Sequence, residues 1–165
     1  MLMAITRDVS ARITECELTH LAREPIDLRR AQTQHRQYGE LLEELGCKLL
    51  RLSTEPDLPD SVFVEDTAIV LDQLAVITRP GAESRRAEIN SVADVLNRYR
   101  KLFHIESPGT LDGGDVLQVG KALYVGQSHR SNAQGIEQLR RILSPYGYSV
   151  VAVELHDCLH LKSAV

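Results

Sequence analysis

The sequence predicts an α/β fold built from repeated strand–strand–helix–strand units, on three observations. Runs rich in β-branched residues come in close pairs, 67–71 with 74–78 and 116–119 with 122–125. Each pair leads into a segment whose apolar residues recur every three or four positions, the spacing of a helix with one buried face. The hairpin segments DTAIVLDQLAVIT and GDVLQVGKALYVG also align in register: Asp66 and Asp115 are 49 positions apart, Val76 and Tyr124 are 48 apart. Identity between the aligned segments is low, so the repeat is one of pattern, and a period of this size points to stacked or radial units.

The elements follow in order. A short first strand is expected over 2–6. A long helix is expected over 26–45, where Leu28, Ala31, His35, Tyr38, Leu41, Leu42 and Leu45 make one apolar stripe. Pro25 stands at its entry and Gly46 at its exit. A strand over 47–52 and a loop over 53–59, with two prolines, come next. Short β runs are expected over 62–64, 67–71 and 74–78, the last two joined by a turn at Asp72 and Gln73. Pro80 and Gly81 break the pattern. A helix over 84–99 turns Ile89, Val92, Ala93, Leu96 and Tyr99 inward, and a strand follows over 102–105. The order then repeats: strands at 116–119 and 122–125 around Gly120 and Lys121, a helix over 132–146 burying Ile136, Leu139, Ile142, Leu143 and Tyr146, and a strand over 149–153.

Composition narrows the class. The chain has 165 residues, 43% of them apolar and 25% charged, enough to bury a core. No apolar run approaches the ~20 residues that a membrane helix needs. The first twelve residues lack an apolar stretch, so no secretory signal is expected. The net charge of −4 and the absence of a Lys/Arg block argue against nucleic acid. Cys16, Cys47 and Cys158 are too few and too widely spaced for a disulfide framework or a zinc cluster. They suit a reducing compartment, and a cytoplasmic protein is expected.

Several constellations could carry chemistry. PDSVFVED places Asp60 before a short apolar run and Glu65 and Asp66 just after it. A solvated strand end explains these carboxylates about as well as a pocket for a planar cation such as a guanidinium. SPGTLDGGDVL sets Asp112 at the shoulder of a double-glycine turn, and such a turn standing alone is ordinary. His160 of CLHLKSAV lies in an apolar run, where a lone histidine is most often a core residue. Its position, 48 residues after Asp112, changes that weight. In radial units the two would occupy equivalent inner places, and an acid beside a histidine can move protons. RPGAESRR and GQSHRSN each follow a hairpin and precede a helix. They offer Arg79, Arg85, Arg86 and Arg130 either to solvent or to a substrate carboxylate.

Taken together, DSVFVEDTAIV, ITRPGAESRR, SPGTLDGGDVLQVG, VGQSHRSNAQG and LHLKSA resemble the dimethylarginine dimethylaminohydrolases of the guanidino-group-modifying superfamily. The resemblance runs from about residue 2 to the last residue. It implies a pentein-type β/α propeller, five units around a pseudo-fivefold axis with the active site at the axis. It also implies hydrolysis of Nω-methylated arginine to citrulline and a methylamine, with no metal or organic cofactor. A cysteine thiolate would attack the guanidinium carbon and a histidine would serve as general acid and base. By motif, His160 is that histidine, and Asp112 binds the guanidinium and supports it. Asp66 pairs with the guanidinium, while Glu65 and Asp60 line the pocket. Arg85 and Arg130 hold the amino-acid carboxylate, and Leu18 of CELTHLA sits in the loop over the substrate.

In that family the nucleophilic cysteine lies well past the LHLK motif, and no residue here takes that place. Cys158 is two residues before His160, a position that is not the nucleophile in the matching motif. Divided by the repeat, the chain holds roughly 3.4 units, against five for the closed ring. The expectation is the N-terminal portion, residues 1–165, of a single pentein domain that binds a small methylated arginine and lacks hydrolase activity on its own. An open ring would also self-associate through its free edge. Two other readings stay open: arginine deiminase- or amidinotransferase-type chemistry, and a non-catalytic guanidinium-binding protein.

Overall fold

The structure, a computed structural model, describes residues 2–18 and 22–165. It divides into two compact units, Met1–Val64 and Glu65–Val165. Within the loop motif around Leu18, Thr19, His20 and Leu21 lie outside the described residues.

The first unit holds β1 (Met3–Arg7), a 3-10 turn (Ile13–Glu15), α1 (Leu28–Glu44) and β2 (Lys48–Leu52). β1 and β2 pair in parallel, with Met3 opposite Lys48 and Arg7 opposite Leu52. α1 starts two residues later than expected because Asp27, not Pro25, sets its entry. The Asp27 carboxylate accepts the Arg30 N–H at 3.0 Å, an ordinary N-cap. At the exit Gly46 takes φ +86°, the Gly46 N–H donates to Glu43 and the Cys47 N–H donates to Leu42. That pair of bonds closes the helix in a Schellman turn.

The apolar stripe of α1 is only half used. Leu28, Ala31, His35 and Leu42 are half-buried, but Tyr38, Leu41 and Leu45 are 54%, 52% and 73% exposed. A two-stranded sheet is narrower than the stripe, so one flank of the helix has nothing to cover it within this unit. The 62–64 run is a turn, not the expected strand: the Phe63 N–H donates to the Asp60 carbonyl at 2.9 Å. Val62 spends its apolar surface on a small cluster of Val9, Ile13 and Cys16. Arg7 is fully buried, paired with Glu55 at 3.0 Å and donating to the Ser61 carbonyl at 3.1 Å, which ties the 55–61 loop to β1.

The second unit holds the two repeats. The first is β3 (Ala68–Val70), β4 (Leu74–Ile77), a 3-10 segment (Glu83–Glu88), α2 (Ile89–Leu96) and β5 (Lys101–His104). The second is β6 (Val116–Val119), β7 (Ala122–Gln127), α3 (Ala133–Leu143), a 3-10 turn (Ser144–Tyr146) and β8 (Ser149–Glu154). Both sheets have the same order, an antiparallel hairpin whose second strand also pairs in parallel with the strand after the helix. The repeat read from the sequence is therefore a repeat of topology.

Both expected helices are shorter than their periodicity suggested. The first turns of 84–99 are 3-10, and Tyr99 is 45% exposed beyond the end of α2. α3 stops at Leu143 because Pro145 follows in a 3-10 turn closed by Gly147 at φ +75°. At its start the Asn132 side chain accepts the N–H groups of Gly135 and Thr110 and donates to the Pro108 carbonyl. One cap thus fixes both the helix and the strand-to-turn segment before Asp112. Leu74, Val76, Leu111, Leu123, Val125, Leu139 and Leu143, all fully buried, make the core of this unit. No described helix is long and apolar enough to cross a membrane.

Candidate active site

The site of the second unit is built where chain segments leave the core. Asp66 stands in the 3-10 turn Val64–Thr67 before β3. Asp112 precedes the equivalent turn Gly113–Asp115 before β6, and His160 precedes the turn Leu161–Ser163 after β8. Three turns at corresponding places of successive repeats bring these side chains together. One donor atom from each of Asp66, Asp112 and His160 falls in a group spanning 4.8 Å.

Asp112 has no exposed surface. Its Oδ1 accepts the Gly81 N–H at 2.9 Å, and its Oδ2 lies 3.4 Å from His160 Nε2 and 3.7 Å from Arg130 Nη1. The Asp112 N–H donates to Ser131 Oγ at 3.1 Å. Burial works to lower the His160 pKa, but the hydrogen bond to Asp112 and the charges of Asp66, Asp115 and Asp112 outweigh it, so the imidazole titrates above 6.5. A histidine so placed is protonated more readily than one in water.

Asp66 is 6% exposed. Its Oδ1 accepts the Gly114 N–H at 2.9 Å and its Oδ2 accepts Arg85 Nη1 at 2.8 Å. Arg85, also buried, presents its other face to Glu88, with Nη2 to Oε2 at 2.9 Å. Burial opposes the charge on Arg85, yet the two carboxylates overcome it and keep the guanidinium protonated well above its ordinary range. Glu88 is not singled out by the sequence, because a glutamate at the head of a helical pattern reads as solvated.

The other expected positions are more scattered. Glu65 is exposed and paired with Lys162 at 2.6 Å. Arg130 is 7% exposed in the loop before α3. Arg86 pairs with Glu83, and Arg79 donates to the Gly109 carbonyl. In the first unit, Asp60 is buried and accepts the Glu17 N–H at 3.0 Å, beside Leu18, which is 40% exposed. Cys16, Cys47 and Cys158 are free thiols. Cys158 lies in the bend after β8 and is not part of the Asp66–Asp112–His160 group.

Four carboxylates, Asp66, Glu88, Asp112 and Asp115, are buried here against two arginines, Arg85 and Arg130. Before His160 is counted, the group carries an excess of negative charge and so favours a cation. A metal ion is a poor fit, because the Asp66 charge is already paired with Arg85, whereas each carboxylate oxygen keeps a second lone pair that can accept a further N–H.

Comparison with known proteins agrees with this chemistry. The family model described as "N,N dimethylarginine dimethylhydrolase, eukaryotic" matches residues 10–163. The chain belongs to this family. It is 47% identical over 163 residues to an N(G),N(G)-dimethylarginine dimethylaminohydrolase of Streptomyces coelicolor, covering 98% of this chain and 63% of the relative. A Pseudomonas aeruginosa relative of the same name is 40% identical over 141 residues, covering 84% of this chain and 56% of that protein. A solved structure of the P. aeruginosa family member, a cysteine-to-serine mutant complexed with citrulline, superposes with a TM-score of 0.92 at 36% identity. That match covers 98% of this chain and 65% of the other. The chain thus has the α/β fold of the dimethylarginine dimethylaminohydrolase family and spans somewhat less than two thirds of the relatives' length.

Proposed function

We propose that this chain supplies the guanidinium-binding and proton-transfer part of a hydrolase that converts Nω-methylated arginine to citrulline and a methylamine. The observation that carries the reading is the half-buried His160 set 3.4 Å from the fully buried Asp112 and next to Asp66, in a site with surplus negative charge. A guanidinium is planar and takes paired carboxylate contacts, which is what Asp66 and Asp112 offer. His160, held ready to be protonated by those carboxylates, would give a proton to the departing amine and take one from water. The attacking thiolate would come from a segment beyond the sequence matched here, as the family resemblance implies.

Arg130, 3.7 Å from Asp112, would hold the amino-acid carboxylate, as the family resemblance implies. The carboxylate contact expected of Arg85 rests on the resemblance alone, because its guanidinium is engaged by Asp66 and Glu88. The contacts expected of Leu18, Asp60 and Glu65 rest on the resemblance alone. The same holds for a ring of five units, toward which the two identical sheet topologies are suggestive. The three free thiols fit a cytoplasmic setting.

Calorimetric titration and a hydrolysis assay on the purified 165-residue chain test the reading together. Citrulline and asymmetric dimethylarginine are expected to bind, with no turnover. Failure of both to bind would overturn it. Turnover above background that disappears in Cys158→Ser would instead make Cys158 the nucleophile. We also propose that the chain associates with itself through the uncovered flank of α1, where Tyr38, Leu41 and Leu45 are exposed. Sedimentation should show a dimer or larger species that Leu41→Glu disperses; a monomer at micromolar concentration would refute this.

A further inference from the structure

We infer that Asp115 is a positioning residue whose carboxylate holds together the loops that carry His160 and Arg130. The inference rests on the proposed function above for its consequence, and on the repeat for its origin. Asp115 stands 49 residues after Asp66, at the same point of the hairpin motif. The two carboxylates make corresponding bonds. Asp66 Oδ1 accepts a backbone N–H from the turn of the next repeat, that of Gly114, at 2.9 Å. Asp115 Oδ1 accepts the N–H of Leu161, from the turn that follows β8, at 3.1 Å. Asp66 Oδ2 then takes Arg85, in the segment before α2. Asp115 Oδ2 takes Ser131 Oγ at 2.6 Å and Ser128 Oγ at 2.7 Å, in the segment before α3.

The same clasp therefore occurs twice, with a charged partner in one repeat and two hydroxyls in the other. In the second repeat its three donors bracket the functional residues. Leu161 follows His160 directly, and Ser128 and Ser131 flank Arg130. Ser131 also accepts the Asp112 N–H, so the network reaches the acid as well. Asp115 has no exposed surface. Burial pushes its pKa up, and the two serines, the His160 charge and the Leu161 N–H pull it back. A buried carboxylate with every oxygen engaged restrains its partners, because releasing any one leaves an unsatisfied charge. Both oxygens of Asp115 are taken by Leu161, Ser128 and Ser131, so its effect would pass through His160 and Arg130.

The test uses the 165-residue chain, Asp115→Asn and the Ser128→Ala/Ser131→Ala double variant. NMR would follow the His160 ring titration and the Leu161 amide shift, and calorimetry would follow citrulline. Asp115→Asn is expected to lower the His160 midpoint, move the Leu161 amide upfield and weaken citrulline about tenfold. The double variant keeps the carboxylate. It should lower the His160 midpoint less than Asp115→Asn does and still weaken citrulline several-fold by freeing the Arg130 loop. Thermal melting checks that each variant folds; if Asp115→Asn does not, the double variant decides. Folded variants with the parent's citrulline affinity, His160 midpoint and Leu161 shift would overturn the inference. A parent chain that binds no citrulline would count against the proposed function alone, and the two NMR readouts would then decide the role of Asp115.

Discussion

Alanine at Gly113 is expected to destabilise the chain by about 3 kcal/mol or more. A Cβ there would lie 2.0 Å from the Glu65 carbonyl oxygen, 3.1 Å from its carbon and 3.3 Å from the Asp66 Cα. All three obstacles are backbone, so no rotamer relieves them. Either the turn that carries Asp66 or the turn that carries Asp112 must move, and the Gly114-to-Asp66 hydrogen bond between them would be lost. Gly114 differs in an instructive way. Its Cβ would meet His160 Nδ1 at 2.6 Å and Asp66 Oδ1 at 2.8 Å, which are side-chain atoms. Gly114→Ala should therefore cost less stability but swing His160 away from Asp112. Urea denaturation of both variants, with the His160 titration of Gly114→Ala, separates the two effects. A Gly113→Ala midpoint equal to the parent's would mean that the two turns are not in contact.

The second large effect is expected from Asp112→Asn. Burial disfavours the His160 charge, and the hydrogen bond to Asp112 is the largest of the opposing contributions that raise its pKa above 6.5. A group whose pKa is higher folded than unfolded adds stability while it is protonated. That contribution is complete below about 6.5 and is lost as pH rises through the higher folded midpoint. Asparagine can still accept the Gly81 N–H but offers no charge to His160 or Arg130. The variant should thus bring the His160 midpoint down and flatten the fall in stability just above pH 6.5. Melting temperatures of parent and variant from about pH 5.5 to about pH 8.5 read this directly. Parallel curves would show that Asp112 is not what raises the histidine.

Much of the site was legible because the repeat was. Asp112 and His160 stand one period apart, and that spacing placed them together before any geometry was known. The same reasoning aligned Asp115 with Asp66, yet it assigned Asp115 no partner. Alignment says that two residues occupy equivalent places; it does not say which donors surround them. Glu88 was not legible at all. A glutamate three residues after Arg85 looks like a surface helix pair, and only burial of both side chains turns it into the anchor of the Asp66 ion pair. The α1 stripe misled in the opposite direction. Periodicity records which residues share a helix face, whereas Tyr38, Leu41 and Leu45 are exposed because the two-stranded sheet beside them is narrow.

The sequence by itself determined the unit of construction, its period, the family and the meeting of Asp112 with His160. These are properties of order along the chain: alternation, helical spacing and motifs at fixed intervals. The tertiary structure decided which carboxylates are charged partners and which are solvent-facing. Glu65 went outward to Lys162, while Asp66, Glu88, Asp112 and Asp115 went inward. The physical reason is that the worth of a charge depends on what surrounds it once water is removed. That surrounding is assembled here from three turns separated by more than forty residues each, and no local pattern encodes it.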